Sequence, residues 1–481
     1  MIPENRTRRG FLKTLGLGAA ALAGPRMMRG AQRPRSAKPN FIIIFTDDQG
    51  YQDVGCFGSP KIKTPRLDKM AREGMTFTSF YAQTVCGPSR AALMTGCYPL
   101  RVAKRNNQVD IHPYLHTKEI TIAEILKDAG YATAAFGKWD LAGHTQTRYD
   151  PQLLPTRQGF DYFFGTPTSN DGFVNLLRNE KVIEKRANMN TLTRRYTDEA
   201  IAFIERRKDK PFFVYIPHTM PHTRLGVSKT FRGTSKRGLY GDVIEEIDFS
   251  VGRILDAVKR LGLDETTYVI FTSDNGPWRI KQAHGGSCKP LRGAKTSTWE
   301  GGLRVPCIMR APGRIPPGTT CDEITCTMDM LPTLAALAGA DVPKDRIIDG
   351  HDIRHMMHGR PGATTRKEAF YYYQHTHLQA VRAGKWKLHL PRPAQPPWAP
   401  RWGRHIDKAD VIEITRPMLF DLAADIGETT DVAAANPKVV ARLLALAEKA
   451  RNDIGDYNRI GKGARFYDPQ PPRPDVRKWT R

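Results

Sequence analysis

"NFIIIFTDDQG", Asn40 to Gly50, is the stretch on which the fold turns. Phe41 to Phe45 is an unbroken apolar run, β-branched at its centre and closed by two carboxylates. A strand covered on one face alternates apolar and polar residues, whereas an unbroken run belongs to a strand covered on both, as in a parallel sheet between helices. Three later segments share the pattern: "YATAAFGK" (131–138), "PFFVYIPH" (211–218) and "TTYVIFTSDNG" (266–276). Helical segments lie between them. In "TPRLDKMAREG", Thr64 stands as cap, Pro65 at the first helical position and Gly74 as stop. In "TIAEILKDAG", Thr121 and Glu124 make a capping box that Gly130 closes. Further helices are expected near 191–208 and 242–261. Strands alternating with helices predict an α/β sandwich with a mostly parallel central sheet.

Past about residue 365 the grammar changes. "AFYYYQHTHLQAVRAGKWKLHL" (369–390) reads as successive antiparallel strands, and "PKVVARLLALAEKARNDIG" (437–455) as one amphipathic helix. The Pro- and Trp-rich segment 391–410 between them reads as a long loop. The expected organisation is a catalytic domain over 40–370, a smaller antiparallel-sheet-plus-helix subdomain over 371–460 and a basic tail over 461–481. At the other end, "TRRGFLK" (Thr7–Lys13) precedes the short apolar run "TLGLGAAALAG" and a small-residue cleavage pattern, Ala21-Leu22-Ala23. This resembles a twin-arginine export signal over residues 1–23, followed by an Arg/Pro-rich linker over 24–39. Export through the twin-arginine translocase predicts a periplasmic or secreted protein. No segment is long and apolar enough for stable membrane insertion.

With 40% hydrophobic and 26% charged residues the chain is expected to fold as a globular protein, but its net charge of +25 is unusual. Such a surplus attracts nucleic acid, anionic lipid or a polyanionic substrate, or merely solvates the surface. Zinc-finger spacing, RNA-binding aromatic signatures and basic heptads are absent, so no nucleic-acid partner is expected. The seven cysteines are an odd count over this length and make no disulfide scaffold. Cys321 and Cys326 are close enough in sequence to pair. Cys86, in "QTVCGPSRAALMTG" (83–96), is the thiol whose setting asks for an explanation.

In open α/β sheets ligands bind beyond the carboxyl ends of the strands. The strand ends here deliver Asp47-Asp48, Gly137-Lys138, the pair His218 and His222, and Asp274-Asn275 to one rim. Adjacent aspartates repel unless a cation lies between them. Asp47, Asp48, Asp274 and Asn275 together form an all-oxygen set suited to calcium or magnesium and not to zinc. Either pair alone is better explained as helix or turn caps; the two together, on two strand ends, favour a metal.

"CGPSRAALMTG" resembles the type I sulfatase signature, whose cysteine is oxidised during synthesis to formylglycine. "GYATAAFGKWDLAG" and "LRGAKTSTWEGGLRVP" are similar to two further blocks of that family, and the resemblance runs from about Asn40 to Ala433. It implies an alkaline-phosphatase-like fold and a sulfuric ester hydrolase of the arylsulfatase type that releases inorganic sulfate. It also implies a maturation partner, a formylglycine-generating enzyme, that converts Cys86 to 3-oxoalanine. The aldehyde hydrates; one hydroxyl attacks sulfur as the alcohol departs, and the second loses its proton to expel sulfate and restore the aldehyde. Pro88 is expected to start a helix, placing residue 86 at its positive end. By similarity Arg90 holds the nucleophile, Lys138 and Lys295 bind sulfate, and His222 protonates the leaving alcohol; for His218, four residues earlier, a structural or supporting role is expected. One Ca2+ is implied on Asp47, Asp48, Asp274 and Asn275 together with residue 86.

One position departs from the family. Where the pattern is Gly-Lys-Trp-His, this chain has Gly137-Lys138-Trp139-Asp140. The missing histidine is the one that takes the second hydroxyl's proton. Either Asp140 serves, if desolvation raises its pKa, or His144 reaches in, or Asp140 binds a substrate hydroxyl instead. A sulfated carbohydrate is the expected substrate, given the basic surface and a stacking wall from Trp398, Trp402 and His405, although the same loop would serve equally as a cover for the C-terminal sheet and small aryl sulfates remain an alternative. A phosphate or phosphonate ester hydrolase of the same superfamily, and an inactive sulfated-glycan-binding protein, are the other readings.

Overall fold

A computed structural model describes residues 38–108, 112, 114–366, 368–394 and 406–472. The expected export signal, nearly all of the linker, the end of the basic tail and the residues Trp398, Trp402 and His405 lie outside the described residues.

A ten-stranded sheet carries the molecule. In chain order its strands are β1 (Asn40–Thr46), β2 (Met75–Phe77), β3 (Ala132–Lys138), β4 (Tyr162–Thr166), β5 (Leu176–Arg178), β6 (Lys181–Glu184), β7 (Phe212–Pro217), β8 (Thr267–Ser273), β9 (Cys307–Arg310) and β10 (Thr319–Cys321). Their spatial order is β10-β2-β9-β8-β1-β7-β3-β4-β5-β6. The central five, β8-β1-β7-β3-β4, are all parallel. Antiparallel pairs join β8 to β9, β9 to β2, β4 to β5 and β5 to β6. The four long apolar runs are thus the parallel heart of the sheet, and the flanks are short strands with too little pattern to stand out in sequence.

Alternation along β1 divides the core. Phe41, Ile43 and Phe45 pack with α2 (Cys86–Thr95), α3 (Ile122–Asp128) and α6 (Met330–Ala338) on one face. Ile42 and Ile44 pack with α1 (Pro65–Arg72), α4 (Leu192–Arg207) and α5 (Leu239–Arg260) on the other. All five are fully buried, as expected of a strand sandwiched between helical layers. Thr121 and Glu124 form the expected capping box of α3. Thr64 precedes α1 but makes no side-chain cap; its hydroxyl instead accepts from the Gly55 amide at 2.7 Å and donates to Asp68.

The C-terminal region forms its own antiparallel sheet, β11 (Phe370–Gln374), β12 (His377–Ala383), β13 (Trp386–His389) and β14 (Met418–Asp421), covered by α7 (Pro437–Asp453). It is tied to the ten-stranded-sheet region by a buried charge cluster. Lys387 on β13, fully buried, lies 3.0 Å from Glu300 and 2.9 Å from Glu428. Tyr372 donates to Glu300 at 2.8 Å, and the Glu300 amide donates to Glu428 at 2.7 Å. Gln374 holds the Thr296 carbonyl at 2.8 Å, so this sheet positions the loop that carries Lys295. The start of the expected tail is packed rather than free: Arg465 pairs with Glu119 at 2.8 Å. All seven cysteines are free, including Cys321 and Cys326.

Candidate active site

Adjacent parallel strands end together, which is why residues far apart in sequence meet. The Asp47 amide donates to the Met220 carbonyl at 3.2 Å, and the Asp274 amide to the Thr46 carbonyl at 3.1 Å. Two glycines make the close approach possible. A Cβ at Gly137 would lie 1.8 Å from the Pro217 carbonyl, and one at Gly276 1.8 Å from the Gly301 carbonyl. Three other residues hold positive φ here: Asp48 (63°), Asp140 (55°) and Thr296 (74°). Aspartate tolerates this region; a β-branched threonine does so only under constraint, and such strain concentrates at functional sites.

Around β1's end, cations and carboxylates interlock. Lys138 donates to Asp47 Oδ2 at 2.7 Å, Arg90 to Asp274 Oδ2 at 2.7 Å, and Lys295 lies 2.6 Å from Asp48 Oδ1. Asn275 donates from Nδ2 to Asp48 Oδ1 at 2.7 Å. Arg90 also reaches the Lys138 carbonyl at 2.8 Å. All of these side chains are buried. Asp47 Oδ1, Asp48 Oδ2 and Asn275 Oδ1 are nevertheless buried oxygens that accept no hydrogen bond. Burial would raise Asp47's pKa, but Lys138, His222 and Arg90 outweigh it and hold the carboxyl well below its ordinary value. Burial and repulsion from Asp47 push Asp274 up. Three orphaned oxygens among crowded carboxylates are the donor set a hard divalent cation satisfies.

Cys86 is the first residue of α2, two positions earlier than Pro88 would have placed the helix start; Pro88 lies inside the first turn. The positive end of α2 therefore bears directly on residue 86. Ligand atoms of Cys86, Asp47 and Asp274 lie within 4.8 Å of one another. Burial raises the Cys86 thiol well above its ordinary pKa, so an unmodified cysteine here is a poor nucleophile. It opens into a cavity of about 120 Å³ with Lys295, His222, His144, Asp171 and Trp278 among its walls. His222 donates from Nδ1 to the Thr223 carbonyl at 2.6 Å, leaving Nε2 3.6 Å from Asp48 and 3.5 Å from Asp171. Burial lowers its pKa, against the pull of Asp48. His218 is fully buried, does not line the cavity and is brought down to about 4 by burial, in keeping with a structural role.

Residues 39–340 match the family model described as "Sulfatase". The chain belongs to the sulfatase family. Residues 365–469 match the "C-terminal region of aryl-sulfatase". The chain is 39% identical over 409 residues to N-acetylgalactosamine-6-sulfatase of Canis lupus familiaris, an alignment covering 79% of this chain and 74% of the relative. It is 35% identical over 454 residues to human arylsulfatase A, covering 85% and 87%. Among solved structures, the PsFucS1 sulfatase from Pseudoalteromonas sp. superposes with a TM-score of 0.75 at 26% identity, covering 86% of this chain and 89% of that one. This sulfatase is therefore a sulfuric ester hydrolase with the alkaline-phosphatase-like fold.

The position where this sulfatase departs from the family pattern resolves against one of the expected alternatives. Desolvation does not raise Asp140's pKa to that of a useful base. Burial pushes in that direction, but Lys138, 3.7 Å away, and His144 overcome it and hold the carboxyl far below its ordinary range. His144 does reach in. It lines the cavity with residue 86, its Nδ1 3.9 Å from Asp140 Oδ1 and its Nε2 3.4 Å from Asp171 Oδ2. Its pKa is raised, chiefly by Asp140. Asp171, which the sequence reading missed, faces both His144 and His222. It lies in the turn after β4, and the strand-end rule would have found it had "DYFFGT" been read as a fifth parallel strand. His112, Tyr114 and Trp278 were missed as well; Trp278 follows the Asp274-Asn275-Gly276 motif by two residues.

Proposed function

We propose that this sulfatase is exported and hydrolyses a sulfate monoester on a sulfated carbohydrate, with residue 86 matured to formylglycine and one Ca2+ on the rim. The observation that carries the reading is the meeting of residue 86, two lysines and a histidine above three buried oxygens that accept no hydrogen bond. Asp47, Asp48, Asp274 and Asn275 would hold the calcium, with residue 86 alongside, and the ion would supply charge neutralisation and Lewis-acid polarisation of the sulfate. Formylglycine supplies a hydrated aldehyde, a nucleophile that an alcohol or thiol cannot replace because it can expel sulfate afterwards.

The chain's own residues have separable tasks. Lys138 and Lys295, both buried, bind the sulfate oxygens, and Arg90 fixes the groups around residue 86. His222, when doubly protonated between Asp48 and Asp171, delivers its Nε2 proton to the departing alcohol and is left as the neutral Nδ1–H tautomer. His144, with a buried carboxylate behind Nδ1, takes up the proton at Nε2 that the family's missing histidine would have taken. Export by the twin-arginine translocase, residence in the periplasm or outside, and maturation by a formylglycine-generating enzyme belong to the same proposal, as does the division at about residue 370. A carbohydrate substrate is supported by the relatives' printed activities, including the N-acetylgalactosamine-6-sulfatase. The charge of +25 also favours a polyanion.

The test is the mass of tryptic peptide Glu73–Arg90 from protein made beside an active formylglycine-generating enzyme. The expected species has lost sulfur and two hydrogens and gained one oxygen. Unmodified cysteine throughout, with a control substrate converted, refutes the mechanism.

A further inference from the structure

The geometry points to a second anion-binding subsite beside the reactive cavity, built by the hairpin Gly143–Thr145/Arg148–Tyr149 with Arg105, that receives a further sulfate or carboxylate on the same glycan chain. The inference rests on the proposed carbohydrate substrate and narrows it to one carrying more than one anionic group.

Size is the first argument. The reactive cavity, at about 120 Å³, is far below the ~300–1,000 Å³ of ordinary small-molecule sites. It takes the sulfate and little more, so the rest of a glycan must lie outside it. Immediately beside it is an open cleft of about 390 Å³, within that range, and the two share His112 and His144 as a common wall. A chain entering the reactive cavity by this side crosses the cleft.

Chemistry is the second. Arg148 is exposed, lines the cleft, and among the described residues has no carboxylate within ion-pairing distance. Arg105 lines it too, tied at 3.2 Å to Asp150 by one nitrogen only and otherwise exposed. Among the described residues Asp150 is the one carboxylate in the lining, so there the cleft keeps a guanidinium in excess, whose planar fork matches sulfate and carboxylate oxygens. Tyr149 and Thr145 add an aromatic face and a hydroxyl, the partners a sugar ring uses. The hairpin begins three residues after Asp140, so the cleft adjoins the position at which the chain departs from the family pattern.

The test uses the matured, calcium-loaded enzyme with p-nitrophenyl sulfate as reporter and highly sulfated hexasaccharides, from a glycosaminoglycan and from a galactan, as competitors. Inhibition constants are measured for wild type, Arg148→Ala and Arg105→Ala/Arg148→Ala. Loss of one charge-assisted contact is expected to raise the inhibition constant about tenfold for the single variant, and further for the double. Arg148→Lys is expected to recover part of the loss. Turnover of p-nitrophenyl sulfate, too small to reach the cleft, is expected to stay unchanged, which also shows that the variants are folded. Inhibition constants unchanged in the double variant, or no inhibition of wild type by either hexasaccharide, overturn the subsite. Failure of wild type to hydrolyse the reporter at all counts instead against the proposed function.

Discussion

Replacing Asp140 with asparagine tests the assignment of His144 most directly. Asp140 Oδ1 stands 3.9 Å from His144 Nδ1 and raises its pKa. A full charge at ~4 Å has a ceiling of about 4 kcal/mol at an effective dielectric constant of ~20. His144's side chain is 46% exposed, so solvent screening takes much of that away, leaving about 1–2 kcal/mol of support for the imidazolium. The other groups facing the imidazole do not change: Asp171 at 3.4 Å still favours the cation, Lys138 opposes it, and His112 stacks against the ring at 4.4 Å. A base must be neutral to accept a proton, so kcat is expected to fall on the acid side of His144's pKa, and in the wild type that limb is expected above the ordinary histidine value. Asp140→Asn is expected to shift the limb to lower pH while lowering the plateau, because the imidazole loses its orienting partner. His144→Gln is expected to remove the limb. The assay is sulfate release across pH 5–9 at saturating substrate and calcium. A limb that stays in place, or moves up, in Asp140→Asn refutes the assignment.

Asn275→Ala, which deletes one of the three orphaned oxygens, is expected to raise the calcium needed for half-maximal activity by at least about tenfold, measured by calcium titration after chelation. Gly276→Ala, whose Cβ would fall 1.8 Å from the Gly301 carbonyl, is expected to lose activity through displacement of Asn275, and excess calcium restores it only in part. Lys387→Met takes from Glu300 and Glu428 the buried lysine they share, leaving Glu300 with Arg304 and Arg382 and Glu428 with His389, and is expected to cost about 3 kcal/mol, read as a lowered melting temperature. Adding Glu428→Gln to that variant should return part of the loss, because one uncompensated charge is then gone.

What the sequence by itself determined was local. Unbroken apolar runs mark Phe41–Phe45 and its three companions as strands covered on both faces, since no other setting rewards burying both sides of a strand. The rule that ligands gather at the carboxyl ends of such strands then brings Asp47, Asp48, Lys138, His222, Asp274 and Asn275 to one rim, and the structure brings them together. Tertiary structure alone decided what depends on which charges end up side by side. Asp140 looks, in sequence, like a carboxyl that burial makes basic; 3.7 Å from Lys138 it is the reverse. Asp171 carries no signal of its own in a serine- and asparagine-rich turn, yet it joins His144 to His222. The short flanking strands, and the buried Lys387 that ties the C-terminal sheet to the Lys295 loop, are equally silent in sequence. Their stabilisation comes from partners far along the chain, and Coulomb energies between such partners depend on distances that no local pattern encodes.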